Sequence, residues 1–456
     1  MGLRGYLCNP LRGGPGRLLR LLLFLLTPHA PAARPGPAAS SPIPMLDYEF
    51  HEYPNGIRLL HKQVPHTKIA HCGFLLDIGS RDERPEQYGL AHFWEHMAFK
   101  GTEKRRSIHI LNRLETVGGE LNAYTTKEKI CFYASLLSTH FERAFELLTD
   151  LTFHSTFPTK EIEKERGVIL EEMSMYVDAP EDAIIDDFDA VVFGEHALGH
   201  NILGTRESVS GFQQADFFQF LQENLRTDQL VFSSVSNLPF AQVKRLADKY
   251  LAPLPAQLGA RPRQGFGAYQ ARRQTEARPI TQAHSLIGCP AYALTDERRL
   301  PFFMLTNILG GPGMNSRLNL AVREKYGFVY SIDANYAPYT DTGLFGIYFA
   351  TEKARLERTT QLVLRELRLL REKALSTSQL HIAKEQLMGQ LAMAEESNGG
   401  MMQLLGKSTL DLGRVESLNE IFEQIRAVTA PQLQELANEV LGEDNLSTLQ
   451  YVPEGR

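Results

Sequence analysis

The pentapeptide His92-Phe93-Trp94-Glu95-His96 carries the densest chemistry in the chain. On a helix, His92 and His96 fall one turn apart and project from the same face, so both imidazoles can reach one ion. Zinc takes histidine nitrogens at about 2.0–2.1 Å, and catalytic zinc uses three protein ligands with a fourth position left open. Glu95 lies beside the pair, where a general base could act on water at that open position. Leu90, Ala91, Phe93, Trp94, Met97, Ala98 and Phe99 make the predicted helix apolar nearly all round, the mark of burial. Three titratable groups on such a helix are costly unless they bind a metal or are otherwise paired.

A third ligand has to come from elsewhere. The segment from about Pro158 to Tyr176 is predicted helical, and it offers Glu171 and Glu172. Its apolar residues Ile162, Val168, Ile169, Met173, Met175 and Tyr176 predict a buried stripe at ~100° per residue. Glu172 and Glu165 fall within that stripe and Glu171 at its edge, which makes Glu172 the expected inward ligand. Glu165, two turns earlier, is placed to orient a histidine or the water. The plainer reading of Glu165 is a surface acid paired with Lys164 or Arg166.

Other elements must position these residues. A hairpin is predicted from Tyr48–Tyr53 and Ile57–Val64 around Pro54-Asn55-Gly56, with further strands at Ile69–Ile78 and Phe132–Leu137. The metal-binding helix spans about Leu90–Phe99 and is expected to close at Gly101. Thr139 and Glu142 suggest a capping box ahead of the stripe Phe141, Phe145, Leu148 and Thr152. The second half repeats this outline. Leu300–Gly311 stands where Leu90–Gly101 stood, and Thr377–Leu391 echoes Thr159–Met173, but the second copy has no His, Glu and His in its helix. The expected organisation is a leader or spurious extension over 1–45, a catalytic zinc-binding domain over 46–251, a linker over 252–278 and an inactive domain over 279–456. The linker is rich in Pro, Gly and Arg and reads as solvated chain.

Composition narrows the class. The 456 residues are 43% hydrophobic and 22% charged, an ordinary globular balance. Four cysteines are too few for a disulfide scaffold or a cysteine-type zinc knuckle, and the net charge of -6 gives no reason to expect nucleic acid. No apolar run approaches the ~20 residues of a membrane span. Residues 1–46 hold five arginines and no acid, so removing them takes the charge from -6 to -11. Translation from Met45 implies a cytoplasmic protein, whereas a real Arg-rich leader implies export or an organelle.

The H-x-x-E-H pattern, inverted relative to the usual zinc-protease motif, resembles peptidase family M16, the insulinase, pitrilysin and mitochondrial processing peptidase group. The resemblance runs from about residue 46 to the C-terminus. It rests on His92–Thr102 (HFWEHMAFKGT), Gly118–Thr125 (GGELNAYT), Glu165–Glu172 (ERGVILEE) and Ser316–Tyr330 (SRLNLAVREKYGFVY). It implies an α+β fold of the M16B type, with two homologous halves, each a mostly antiparallel sheet packed with helices, enclosing a cleft. It further implies His92, His96 and Glu172 as ligands of one zinc ion, Glu95 as general base and Glu165 as supporting acid. Asn122 and Ala123 match the edge strand that pairs with an extended peptide, and Arg323 and Tyr330 match a pair that the second half gives to the active site.

The implied activity is a zinc metalloendopeptidase acting on extended or unfolded peptides held in a chamber between the halves. The implied partner is a second copy in a homodimer, or an M16-like chain in a heterodimer; the competing reading is a non-catalytic assembly subunit. The acidic run Asp178, Glu181, Asp182, Asp186, Asp187 and Asp189 reads first as helix-start acids and second as a preference for basic substrates. Gly310-Gly311-Pro312-Gly313 lacks a phosphate loop's Gly-Lys-Ser/Thr ending and reads as a loop bordering the cleft.

Overall fold

The structure, a computed structural model, describes residues 48–454. The leader assigned to residues 1–45 lies outside the described residues. The hairpin forms as expected from β1 (Glu49–Glu52) and β2 (Arg58–Gln63), and it enters a sheet with β3 (Ile69–Leu76), β4 (Glu120–Thr125), β5 (Ile130–Leu137) and β6 (Leu230–Ser236). Spatial order is β1-β2-β6-β3-β5-β4, with only β2 and β6 parallel. The second sheet holds β7 (Arg273–Arg278), β8 (Ala283–Ala291), β9 (Val329–Pro338), β10 (Gly343–Thr351) and β11 (Ser447–Pro453) in the order β7-β11-β8-β10-β9. Its one parallel pair is β7 with β11. Setting β1 aside, both sheets run first, last, second, fourth, third, with the parallel pair in the same place. The weak sequence echo therefore corresponds to one topology used twice.

The first half carries α1 (Leu90–Ala98), α2 (Ser107–Glu115), α3 (Phe141–Phe153), α4 (Thr159–Val177), α5 (Pro180–Phe193), α6 (Arg206–Gly211), α7 (Gln214–Asn224) and α8 (Phe240–Tyr250). The second carries α9 (Arg299–Gly310), α10 (Leu356–Glu372), α11 (Thr377–Glu395), α12 (Asn398–Leu412), α13 (Leu418–Ala427) and α14 (Ala430–Val440). Strand residues alternate between faces, and in β3 both faces are filled. Cys72, Phe74 and Leu76 join α1 and α3 in one core, while Leu75 joins Met402 and Leu405 of α12 in another.

The halves exchange helices. α12 of the second half lies on β3 and β6 of the first, and α5 of the first half lies on β8 and β11 of the second. Ile184, Phe188 and Val192 of α5 bury against Leu286, Leu449 and Tyr451. These two interfaces are close-packed. α1 sits on the opposite face of the first sheet from α12.

Several local expectations differ. α1 stops at Ala98 rather than at Gly101. Thr139 falls in a 3-10 turn, His140 precedes α3 without a side-chain cap, and Glu142 instead accepts from Lys249 and Tyr250. The basic stretch is not simply solvated. Arg273–Arg278 forms β7, and Arg261 and Arg263 are largely buried against Asp82 at 3.0 and 2.9 Å. Free buried thiols stand at Cys72, Cys131 and Cys289. Among the described residues, no helix is long and apolar enough to cross a membrane.

Candidate metal centre and active site

α1 is held from its start. Gly89 precedes it at φ +94°, and a Cβ there would meet the Leu203 carbonyl oxygen at 2.4 Å, so glycine is required. The buried Glu83 carboxylate accepts from the N–H groups of Gly89 and Ala91 at 2.9 and 2.7 Å, an anion on the positive end of the helix. Burial pushes the Glu83 carboxyl well up, although those two donors oppose the shift. Aromatic packing then fixes the helix rotation: Trp94 lies edge-on to Phe132 and Phe220, and Phe93 to Phe212 and Phe217. The remaining face of α1 meets α4.

On α4 the inward seam is narrower than the predicted stripe. Ile162, Glu165 and Ile169 are buried, whereas Val168 and Met175 are exposed. Glu172 continues the seam at the helical spacing 162, 165, 169, 172, and Glu171 faces solvent. The seam therefore brings the Glu172 side chain to both histidines. Its Oε2 lies 3.9 Å from His92 Nε2 and 3.6 Å from His96 Nε2, and one ligand atom from each residue falls within 4.8 Å of the others. Two ligands of a tetrahedral zinc stand about 3.3 Å apart, as follows from bonds of ~2.0–2.1 Å. His96 Nε2 is buried with no hydrogen-bond partner among the described residues. Such an atom is costly to leave unsatisfied, and a metal would satisfy it. Burial, then the neighbouring His96, holds His92 neutral, the form that binds metal. The residues present fit zinc.

Around the triad the carboxylates divide the work. Glu165 Oε2 lies 3.2 Å from His96 Nδ1, and its Oε1 lies 2.6 Å from Lys100 Nζ. Glu165 is therefore not a surface acid: it fixes the ring that presents Nε2 to the site. Burial works against a charged His96, but Glu165, Glu95 and Glu172 outweigh it and raise its pKa. Glu95 is 1% exposed, and burial lifts its carboxyl to about 7 against the hydrogen bond from Thr125.

Asn122 and Ala123 lie on β4, the outermost strand of the first sheet, paired only with β5 among the described residues. Among the described residues, no contact joins Arg323 or Tyr330 to the triad. Arg323 pairs with Glu324 at 3.3 Å, and Tyr330 on the edge strand β9 is 90% exposed. Both belong to the second half, whose α12 covers the face of the first sheet opposite α1.

Family models match the chain twice: "Insulinase (Peptidase family M16)" over residues 58–206 and "Peptidase M16 inactive domain" over 211–387. An uncharacterized zinc protease, YmxG of Bacillus subtilis, is 33% identical over 86% of this chain and 95% of its own. The chain belongs to peptidase family M16. A second M16 relative, the uncharacterized zinc protease SCO5738 of Streptomyces coelicolor, is 34% identical over 85% of this chain and 86% of its own. The fold is shared with a peptidase M16 inactive domain from Pseudomonas fluorescens, at TM-score 0.82 and 20% identity over 90% of this chain and 99% of that one. A protease from Helicobacter pylori also has TM-score 0.82, at 18% identity over 89% of this chain and 99% of that one.

Three residues of this M16 site escape the sequence reading. Lys100 lies two residues past the end of α1 and meets Glu165 of another helix, so no local spacing marks it. Glu83 precedes α1 by several residues, in a loop with no periodic pattern. Thr125 donates to Glu95 Oε2 at 2.6 Å across thirty residues of sequence, and no spacing rule links them.

Proposed function

We propose that this M16 chain is a zinc-dependent metalloendopeptidase that hydrolyses peptide bonds in extended or unfolded polypeptides. One zinc ion per chain is held by His92, His96 and Glu172. The convergence of Glu172 Oε2 on both imidazoles, with a buried His96 Nε2 that has no hydrogen-bond partner among the described residues, carries this reading. Zinc in such a site supplies Lewis acidity for a carbonyl and brings the pKa of a bound water towards neutrality.

The side chains do the rest. Glu95 accepts a proton from the attacking water through Oε1, which is buried and has no hydrogen-bond partner among the described residues, and returns one to the departing amine. Glu165 holds His96, and Lys100 balances the charge of Glu165. The open edge of β4 takes an extended peptide as an added strand, which engages backbone more than side chain and suits unfolded chains. Arg323 and Tyr330 stay outside this mechanism, since no contact joins them to the triad among the described residues. The proposal includes a homodimer, tested by sedimentation of the purified chain.

Metal analysis tests the ligand set. The wild type should carry one zinc per chain, and His92→Ala or Glu172→Ala should lose it. Full zinc occupancy in either variant would contradict the assignment.

A further inference from the structure

We infer that Thr125 is a positioning residue that gives the two oxygens of Glu95 different tasks; this rests on the proposed peptidase reading. Thr125 Oγ1 donates to Glu95 Oε2 at 2.6 Å, the length of a hydroxyl bonded to a carboxylate. Both groups are buried, Thr125 at 3% exposure, and Glu95 Oε1 has no hydrogen-bond partner among the described residues. One oxygen is therefore tethered and the other is left to exchange a proton. The tether matters because the last torsion of a glutamate is broad and roughly two-fold, so packing of the stem alone does not fix the carboxylate plane. The hydrogen bond supplies the missing restraint.

The position of Thr125 adds a second consequence. It is the last residue of β4, three residues beyond Asn122 and two beyond Ala123. The strand whose open edge would receive the peptide thus also orients the base. Registration of the scissile bond and aim of Glu95 are set by one element. A buried threonine that merely satisfied its hydroxyl on the nearest acceptor would have neither effect.

The test compares zinc-loaded full-length wild type with Thr125→Val, Thr125→Ser and Glu95→Gln on a fluorogenic peptide, with zinc content measured for each. Valine keeps the shape and removes the donor, whereas serine keeps the donor. A general base contributes ~10²–10⁴-fold, so Thr125→Val should lower kcat by about 10-fold or more yet stay above Glu95→Gln. KM should change by less than about twofold, as for an interaction that acts on the transition state rather than on ground-state binding. Zinc content should be unchanged, and Thr125→Ser should restore most of kcat. Unaltered kcat in Thr125→Val, an equal loss in Thr125→Ser, or loss of zinc would overturn the inference. A crystal structure of Thr125→Val supplies a readout independent of turnover. The Glu95 carboxylate should leave its wild-type plane, and an unchanged pose would also overturn the inference. A wild type that cleaves nothing would defeat the peptidase reading, while the pose of Glu95 would still decide the role of Thr125.

Discussion

Lys129 of the first half and Asp411 of the second meet at 2.8 Å, with both side chains almost fully enclosed. Lys129 also reaches Asp77 at 2.6 Å, Arg263 pairs Asp77 with Asp82, and Arg81 ties Glu128 to Asp341 at 2.6 and 2.5 Å. Acids and bases from both halves and from the connecting segment thus form one buried network. Burial alone would raise the Asp77 and Asp411 carboxyls, but the facing cations outweigh it and hold both below the usual range.

Removing one partner of a buried pair leaves an uncompensated charge, at a cost of ~3–5 kcal/mol. Lys129→Met should lose about that much stability at pH 7 in urea unfolding. The depressed carboxyls stabilise the fold fully above their unfolded value of ~3.9, and that contribution fades as pH falls through the lower folded values. The deficit of Lys129→Met should therefore shrink towards pH 3. A deficit constant from pH 7 to pH 3 would contradict the network's role.

Asp186 on α5 behaves in the opposite sense. Burial lifts its carboxyl to about 7, with Asp189, Asp187 and Asp182 adding to the rise and Lys127 opposing it. The folded state then keeps a proton that the unfolded state has released between ~3.9 and 7, so this group lowers stability as pH rises through that window. Asp186→Asn should be more stable than wild type at pH 8 and nearly equal at pH 4. Thermal unfolding at the two pH values checks it, and a less stable variant at pH 8 would refute it.

The exchanged helix α12 makes its own prediction. A Cβ on Gly406 would meet Leu75 Cδ1 at 2.4 Å, whereas one on Gly389 of α11 would meet nothing within 4 Å. Replacing an interior helical glycine by alanine ordinarily gains roughly 0.5–1 kcal/mol. Gly389→Ala should show that gain, and Gly406→Ala should instead lose stability through overpacking, by about 1–3 kcal/mol. Denaturant midpoints that move in the same direction for both would remove the argument for tight packing between the halves.

Much of this site could be read from the chain. His92, Glu95 and His96 share one turn, and local spacing is what a sequence displays. Glu172 followed from helical phase, although Val168 and Met175 misled by lying on an exposed side of α4. The second-half echo was visible at Leu300–Gly311, but the exchange of α5 and α12 was not, because an apolar helix face does not say which sheet it covers. Arg261 and Arg263 read as solvated for a related reason: their partners Asp77 and Asp82 are some 180 residues away. Arg323 and Tyr330 show the converse limit, since a family match gives residue types without saying that one chain brings them together.

Lys100 should tune the metal. Its ammonium lies 2.6 Å from the oxygen of Glu165 that does not face His96. Loss of an outer partner of a metal ligand typically costs about 10–100-fold in affinity. Lys100 acts one contact further out, through Glu165, so Lys100→Met should weaken zinc by the lower end of that range, about 10-fold, in competition with a chromophoric chelator, and Lys100→Arg should recover part of it. Unchanged affinity in Lys100→Met would reduce the contact to a surface ion pair.

Peptide hydrolysis by the purified full-length chain, with and without a zinc chelator and beside Glu95→Gln, tests the central claim most directly. The expected result is cleavage of an unstructured peptide that stops on chelation and returns with zinc. Glu95→Gln should keep the metal but lose about 10²–10⁴-fold in kcat, the usual worth of a general base. Cleavage that survived both chelation and the substitution would contradict the account.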